Sequence, residues 1–265
     1  MSGAILEGMI NNGVNAKNII ATNRSHDKQR ALKERLGIHT EFDNAQAIAK
    51  ADVVILGVKP QMMKALLTEL TDSGVKFDNK LILTVAAGLN IHAYTDIIGQ
   101  QRFIRAMPNT PSMLGLGACG LYLDNNFEYA SATEKQTDTD IAEFMFTSVG
   151  KFVWLEEEAQ IDDIAAVSGS GPAYFFLFME TLIKQAKAFG FSQEVADMLV
   201  KQTALGAAEM AIKSEHSVEQ LRANVTSPGG TTAAAIEVFE QQQLENIVSN
   251  ALVAAVDKAK ILSKL

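Results

Sequence analysis

The stretch ADVVILGVKPQMMKALLTEL, from Ala51 to Leu70, decides the architecture. Its apolar run Val53–Val58 has the length and β-branched content of a buried strand. Gly57-Val58-Lys59-Pro60 then ends it, because proline cannot continue a central strand but suits the first turn of a helix. From Met62 to Leu70 the apolar residues recur at helical spacing. A strand, a tight turn and a helix in immediate succession make half of a βαβ unit.

The same unit recurs along the first half of the chain. Ile19–Thr22, Leu81–Val85, Phe103–Ala106, Leu121–Leu123 and Lys151–Leu155 read as further strands, and Lys28–Leu36, Ala45–Ala49 and Thr139–Val149 as helices. This alternation predicts parallel strands in a doubly wound α/β sheet. After Leu155 the strands stop. Glu156-Glu157-Glu158 opens a helical pattern that runs to Leu265, broken at Gly190, Lys213–Ser217 and the Ser227–Gly230 turn. The expected division is a dinucleotide-binding domain over residues 1–155 and an all-α domain over 156–265. In the latter, Tyr174–Phe189 is apolar on nearly every side, with Phe175, Phe176, Leu177, Phe178, Met179, Leu182 and Ile183. A helix without a polar face is covered all round, which a domain of about 100 residues struggles to achieve alone. The expected cover is a second copy of the chain, giving an obligate homodimer; burial between the two domains of one chain is the alternative.

Composition narrows the function. The net charge of −8 disfavours a nucleic-acid or acidic-membrane partner. No stretch approaches the ~20 apolar residues of a membrane span, and no basic segment followed by an apolar run marks a signal peptide. The single cysteine, Cys119, allows no intramolecular disulfide and fits a reducing, cytoplasmic setting. His26, His39, His92 and His216 lack metal-ligand spacing, so no metal is expected. No G-x-S-x-G elbow is present either.

Ligands of an open α/β sheet bind at the carboxyl ends of its strands. There Asn23-Arg24-Ser25 follows the first strand, with Asp27 only later. An arginine with small polar residues accommodates a 2′-phosphate, whereas an acidic residue would hold a ribose 2′-hydroxyl. The pattern reads as NADPH, or as a polar turn with Ser25 or Asp27 capping the next helix. Lys59 stands at the same edge. Val85-Ala86-Ala87-Gly88 offers small residues that let a flat ligand approach the backbone. Met107-Pro108-Asn109-Thr110-Pro111 is a rigid polar loop. Ser168-Gly169-Ser170-Gly171-Pro172 interrupts a helical pattern, either for close backbone approach or as an inter-helix turn with Pro172 opening the next helix. Finally, Ser227-Pro228-Gly229-Gly230-Thr231-Thr232 abuts the start of a long helix. Free amides and the positive end of the dipole make an anion site there. The alternative is a helix capped by Thr231 or Thr232 with nothing bound.

Taken in order, Val58-Lys59-Pro60, Ala86-Ala87-Gly88, Met107–Pro111, Ser168–Tyr174 and Leu221–Thr232 resemble the pyrroline-5-carboxylate reductase family over essentially the whole chain. The resemblance implies reduction of 1-pyrroline-5-carboxylate to L-proline, with NADPH or NADH as cofactor. It also implies a Rossmann-type N-terminal domain, a helical C-terminal dimerisation domain, and dimers that in that family often assemble further into rings. Asn23, Arg24 and Ser25 match the 2′-phosphate or ribose contacts, and Asn44 an adenine-side contact. Val58, Lys59 and Pro60 with Val85, Ala86 and Ala87 match the wall along the dinucleotide. Asn224 matches a contact near the nicotinamide. Thr231 and Thr232, with the amides of Ser227, Gly229 and Gly230, match the substrate site, and Glu158 a residue of its pocket. Thr232 is the expected catalytic hydroxyl, orienting the imine nitrogen.

In the resembled family a strand and a G-x-G-x-x-[G/A/S] loop come first. Here Met1 and Ser2 match the end of that loop as cofactor contacts, and Gly3-Ala4-Ile5-Leu6 matches the start of the helix. Three accounts stand side by side: a true start upstream, a degenerate copy without activity, and a sheet rearranged around the gap; the first is expected. Two other functions are weighed as well. One is a 3-hydroxy-acid dehydrogenase using Lys184 or Lys187, and the other a non-catalytic dimeric scaffold.

Overall fold

The structure is a computed structural model that describes residues 1–262. The chain divides into two compact units, residues 1–170 with the chain from Ala255 onward, and residues 171–254.

The first unit alternates as expected. It runs α1 (Ser2–Asn11), β1 (Ile20–Thr22), α2 (His26–Leu36), β2 (His39–Glu41), α3 (Asn44–Lys50), β3 (Val53–Leu56), α4 (Pro60–Asp72), β4 (Leu81–Thr84) and α5 (Ile91–Ile98). Then come β5 (Arg102–Met107), β6 (Gly117–Leu123), α6 (Ala132–Thr147), β7 (Gly150–Trp154) and α7 (Gln160–Ile164). The strands form two sheets, a parallel pair β1-β2 and a five-stranded sheet in the order β3-β4-β5-β6-β7. Among the described residues no ladder joins the two, and β3 is an edge strand of the larger sheet.

Strand β4 is buried at every residue, as the interior of a sheet covered on both faces requires. Its side chains alternate between two cores. Leu81 and Leu83 meet Ile5 of α1 with Ala142, Met145 and Phe146 of α6. Ile82 faces the other way, into Met63 and Leu67 of α4 and Ile91 and Tyr94 of α5.

Several details differ from the sequence reading. The sheet is not wholly parallel, since β6 runs antiparallel to β5. Residues 108–116 between them are too few for the crossover a parallel return needs, and Thr110–Leu114 forms a single 3-10 turn instead. Strand β2 went unread because His39-Thr40-Glu41 carries no apolar run; its partner β1 supplies the pairing. Helix α6 starts seven residues before Thr139, at Ala132. There Ser131 Oγ caps the helix by accepting from Glu134 N at 3.1 Å, while Glu134 Oε2 reaches back to accept from Ala130 N, one residue before the cap, at 3.1 Å. The compact division falls at Ser170 rather than Leu155, because α7 packs on β5 and β6.

The interrupted helix at Ser168–Pro172 is one turn of π-helix, Ala165–Gly169, followed by α8 (Gly171–Ala188), so Pro172 takes the second helical position. Gly169 lies close to Met107, whose flexible Cε end stands 2.8 Å from where an added Cβ would be. Asn109 bolts this region together. Buried to 7% exposure, it donates from Nδ2 to Ser168 O at 3.0 Å and accepts at Oδ1 from Ala118 N at 2.9 Å.

The second unit holds α8, α9 (Gln193–Lys213), α10 (Val218–Asn224), α11 (Thr231–Gln241) and the first part of α12 (Leu244–Leu262). It has almost no core of its own. Among the described residues of α8 to α12, only Gly171 and Ala196 are buried. Phe175, Phe176 and Leu177 are each more than 60% exposed in the single chain.

Asn109→Ala removes both bonds, to Ser168 O and from Ala118 N. The expected loss is about 2 kcal/mol of unfolding free energy, read by urea denaturation; an unchanged midpoint contradicts the bolt.

Candidate active site

In the first unit the candidate residues collect where the parallel strands end. Ser2 opens α1 with Met1 as N-cap, and no side chain caps it. Gly57, next after β3, comes directly against it. A Cβ built on Gly57 would lie 2.1 Å from Ser2 Oγ, so a larger residue would push the helix start away.

The turn after β1 is stitched locally. Asn23 Oδ1 accepts from Ser25 N at 3.0 Å, and Gln29 Nε2 donates at 2.8 Å to both Asn23 O and Glu41 O. Ser25 Oγ caps α2 by accepting from Lys28 N, as the capping alternative expected. Its own proton is still free to donate to a ligand. The Arg24 guanidinium, in an exposed residue, touches Met62 Sδ at 3.4 Å and so brings this turn beside the first turn of α4. Asn44 is the first residue of α3, which Asp43 caps. Lys59 is exposed and N-caps α4 through its backbone alone, with Pro60 at the first helical position. Val58 packs on the core.

The loop after β4 is braced at both ends. Thr84 Oγ1 accepts from Ala86 N at 3.2 Å and shares a 2.9 Å bond with Tyr94 OH. Burial pushes the Tyr94 phenol up from its ordinary value, against the opposing pull of the Thr84 bond. At the far end Ile91 N donates to Glu158 Oε1 at 2.7 Å. That same oxygen accepts from the buried Arg105 at 3.0 Å. Glu158, expected with the substrate group, thus lies in the first unit and holds a backbone amide. Between the braces, Ala86 is buried and Val85 packs against the core. Gly88 takes a left-handed φ of +77°, with Leu262 Cβ 3.4 Å from where its own Cβ would stand.

The second unit carries the other group. Ser227-Pro228-Gly229-Gly230 closes a turn through Gly230 N donating to Ser227 O at 3.0 Å. Gly229 has φ +70°, the left-handed value that the third position of a type II turn demands, with proline before it. Gly230 is the N-cap of α11, and no side chain caps the helix. The capping alternative therefore fails: Thr231 and Thr232 are already helical, exposed, and leave the first amides of α11 without a side-chain partner. Asn224 ends α10, where its Oδ1 accepts from Gln220 Nε2 at 2.8 Å.

Residues 158–262 match the family model for pyrroline-5-carboxylate reductase dimerisation, and residues 1–88 that for NADP oxidoreductase, coenzyme F420-dependent. The chain is 43% identical to a pyrroline-5-carboxylate reductase of Vibrio alginolyticus, over all of this chain and 95% of the relative. It is 40% identical to that of Pseudomonas aeruginosa, over all of this chain and 94% of the relative. The chain belongs to the pyrroline-5-carboxylate reductase family. Among solved structures, the Coxiella burnetii reductase superposes with a TM-score of 0.88 at 44% identity, covering all of this chain and 95% of the other. The Plasmodium falciparum reductase, with NADP bound, superposes with a TM-score of 0.82 at 29% identity, covering 98% and 93%.

The family match from 158 onward includes Asn224 and the whole Ser227–Thr232 turn. The match over 1–88 includes Ser2, Asn23–Ser25, Asn44, Val58–Pro60 and Val85–Ala87. Sequence reading missed the braces of the β4 loop, Thr84, Tyr94 and Arg105. The one signal was Arg105 itself, a lone charge within the apolar run Phe103–Ala106.

Gly57→Ala destabilises the reductase fold by about 1–3 kcal/mol, the usual cost of overpacking. Adding Ser2→Gly in the same chain restores most of it, because the clash is with that side chain. Equal thermal stability of all three proteins contradicts the contact.

Proposed function

We propose that this chain reduces 1-pyrroline-5-carboxylate to L-proline, the last step of proline biosynthesis, with NADPH as hydride donor and NADH as its substitute. Full-length identity of about two-fifths to named reductases carries this reading.

The residues fit the dinucleotide. Gly57 lets the uncapped start of α1 come directly against the end of β3, with Ser2 Oγ close to where a Cβ would stand. The Met1–Ser2 segment and the first amides of that helix would hold the pyrophosphate against the positive end of the dipole. Asn23, Arg24 and Ser25 would hold the 2′-phosphate: the guanidinium supplies charge and the Ser25 hydroxyl a proton. Asn44 would meet the adenine side. Val58, Lys59 and Pro60 with Val85, Ala86 and Ala87 would form the wall, and Asn224 would contact the nicotinamide end. Bound NADPH supplies the hydride.

The remaining chemistry needs little from the protein. A cyclic imine can take its proton from water, so no strong general acid is required. The amides at Ser227, Gly229 and Gly230 would hold the substrate carboxylate, an anion site made by the turn and the helix start. Thr231 adds a hydroxyl to it, and Thr232 orients the imine nitrogen. Catalysis then comes from positioning and fixed dipoles. Glu158 is left out of the substrate set, because its Oε1 already serves Arg105 and Ile91.

The dimerisation match over 158–262 supports self-association. A helical unit with so little buried gains its core from a second copy. Further assembly of dimers into a ring is part of this proposal. No helix among the described residues is long and apolar enough to cross a membrane. The lone, buried Cys119 supports a reducing, cytoplasmic site of action.

Oxidation of NADPH in the presence of 1-pyrroline-5-carboxylate, followed by absorbance, tests the reaction; no turnover overturns it. Thr232→Ala should lose about 1–3 kcal/mol of transition-state stabilisation, the scale of one hydrogen bond to a buried partner. Unchanged turnover and substrate KM remove Thr232 from the mechanism.

A further inference from the structure

The loop between β4 and α5, residues 85–90, carries half of the proposed dinucleotide wall, yet its own side chains are small and apolar or lie at its ends. Loops of that kind do not hold a shape by themselves. This one is gripped from two sides by buried polar groups. At its start Thr84, fully buried, accepts from Ala86 N and bonds Tyr94 OH, itself 1% exposed and one turn into α5. At its end the Ile91 amide, among the first of α5, donates to Glu158 Oε1 at 2.7 Å. Asn90 caps the same helix at Ala93 N, so Glu158 supplies a second, distant partner for the helix start.

What fixes Glu158 is Arg105. Its side chain is 3% exposed and donates to Glu158 Oε1 at 3.0 Å, with Asp162 Oδ1 at 3.8 Å from its other nitrogen. A buried guanidinium strongly resists losing its carboxylate partner. The carboxylate is therefore held in place by the core of β5, and it passes that rigidity to the loop.

We propose that Arg105 and Glu158 are positioning residues: the guanidinium locks the carboxylate, and the carboxylate, together with Thr84 and Tyr94, fixes the residue 85–90 loop in the shape that receives the nicotinamide dinucleotide. This rests on the cofactor reading above. It moves Glu158 from the substrate to the cofactor side of the site, so the two assignments differ in what a variant changes.

Glu158→Ala is the test, with Glu158→Gln as the conservative partner that keeps an acceptor for Ile91 N. In the cofactor-free protein, amide hydrogen exchange in the segment 85–91 should quicken by about tenfold or more, the factor for losing a charge-assisted hydrogen bond. Strands β3 and β4, which do not carry Arg105, should exchange as before. The dissociation constant for NADPH, read by fluorescence, should rise about tenfold, with the KM for the imine substrate unmoved. Glu158→Gln should fall between this variant and the wild type, and it carries the same readouts should Glu158→Ala not fold. Exchange that is unchanged, or raised evenly over the whole sheet, overturns the inference. So does a shift in imine KM with NADPH affinity intact, which would return Glu158 to the substrate. Wild-type protein that does not bind NADPH overturns the cofactor reading and this inference together. Wild-type binding with equal affinity in the variants overturns the inference alone.

Discussion

Parallel pairing is the constraint from which the first unit's site follows. When β3 and β4 run side by side in the same direction, the helix after each must start at the same edge. The loops there inherit free amides, positive dipole ends and short connections, whatever their sequence. Residues then decide what the edge can hold. Gly57 lets α1 begin in contact with the loop after β3, and Pro60 starts α4 at once. Helices α2, α3, α5 and α6 are each capped by a serine, asparagine or aspartate side chain, whereas α1 and α4 are not.

The second unit works by a different rule. Its helices bury almost nothing against one another in a single chain, and α8 presents phenylalanines to solvent. At roughly 25 cal/mol per Å² of apolar surface, such faces are a strong drive to associate. In the same helix array the type II turn between α10 and α11 leaves α11 without a side-chain cap at Gly230. The exposed packing surface and the proposed anion site thus sit on one scaffold.

Much of this was legible in the residues. The strands β3, β4 and β5 stood out as apolar runs because their side chains pack into the two cores of the sheet, and β1 and β7 as short apolar runs that are only part-buried. The turn at Ser227–Gly230 was legible because proline followed by glycine permits few backbones. Helix α6 was read short although Ser131-Ala132-Thr133-Glu134 spells a capping box, since its first turns carry no apolar stripe. Strand β2 and the antiparallel step at β6 were not legible: the first depends on a partner strand, and the second on the length of a connection. The braces of the β4 loop were hidden for a similar reason. Glu158 and Ile91 lie 67 positions apart, and no local pattern links them; only the fold brings a carboxylate, a guanidinium and a helix amide to one point.

The central claim is that the carboxyl edge of the parallel strands is a dinucleotide site. Crystals of the protein grown with saturating NADP test it most directly. The account predicts the pyrophosphate against the first amides of α1, next to Gly57, and the 2′-phosphate at Asn23-Arg24-Ser25. Crystals in which the nucleotide lies away from that edge, or is not bound, would contradict it.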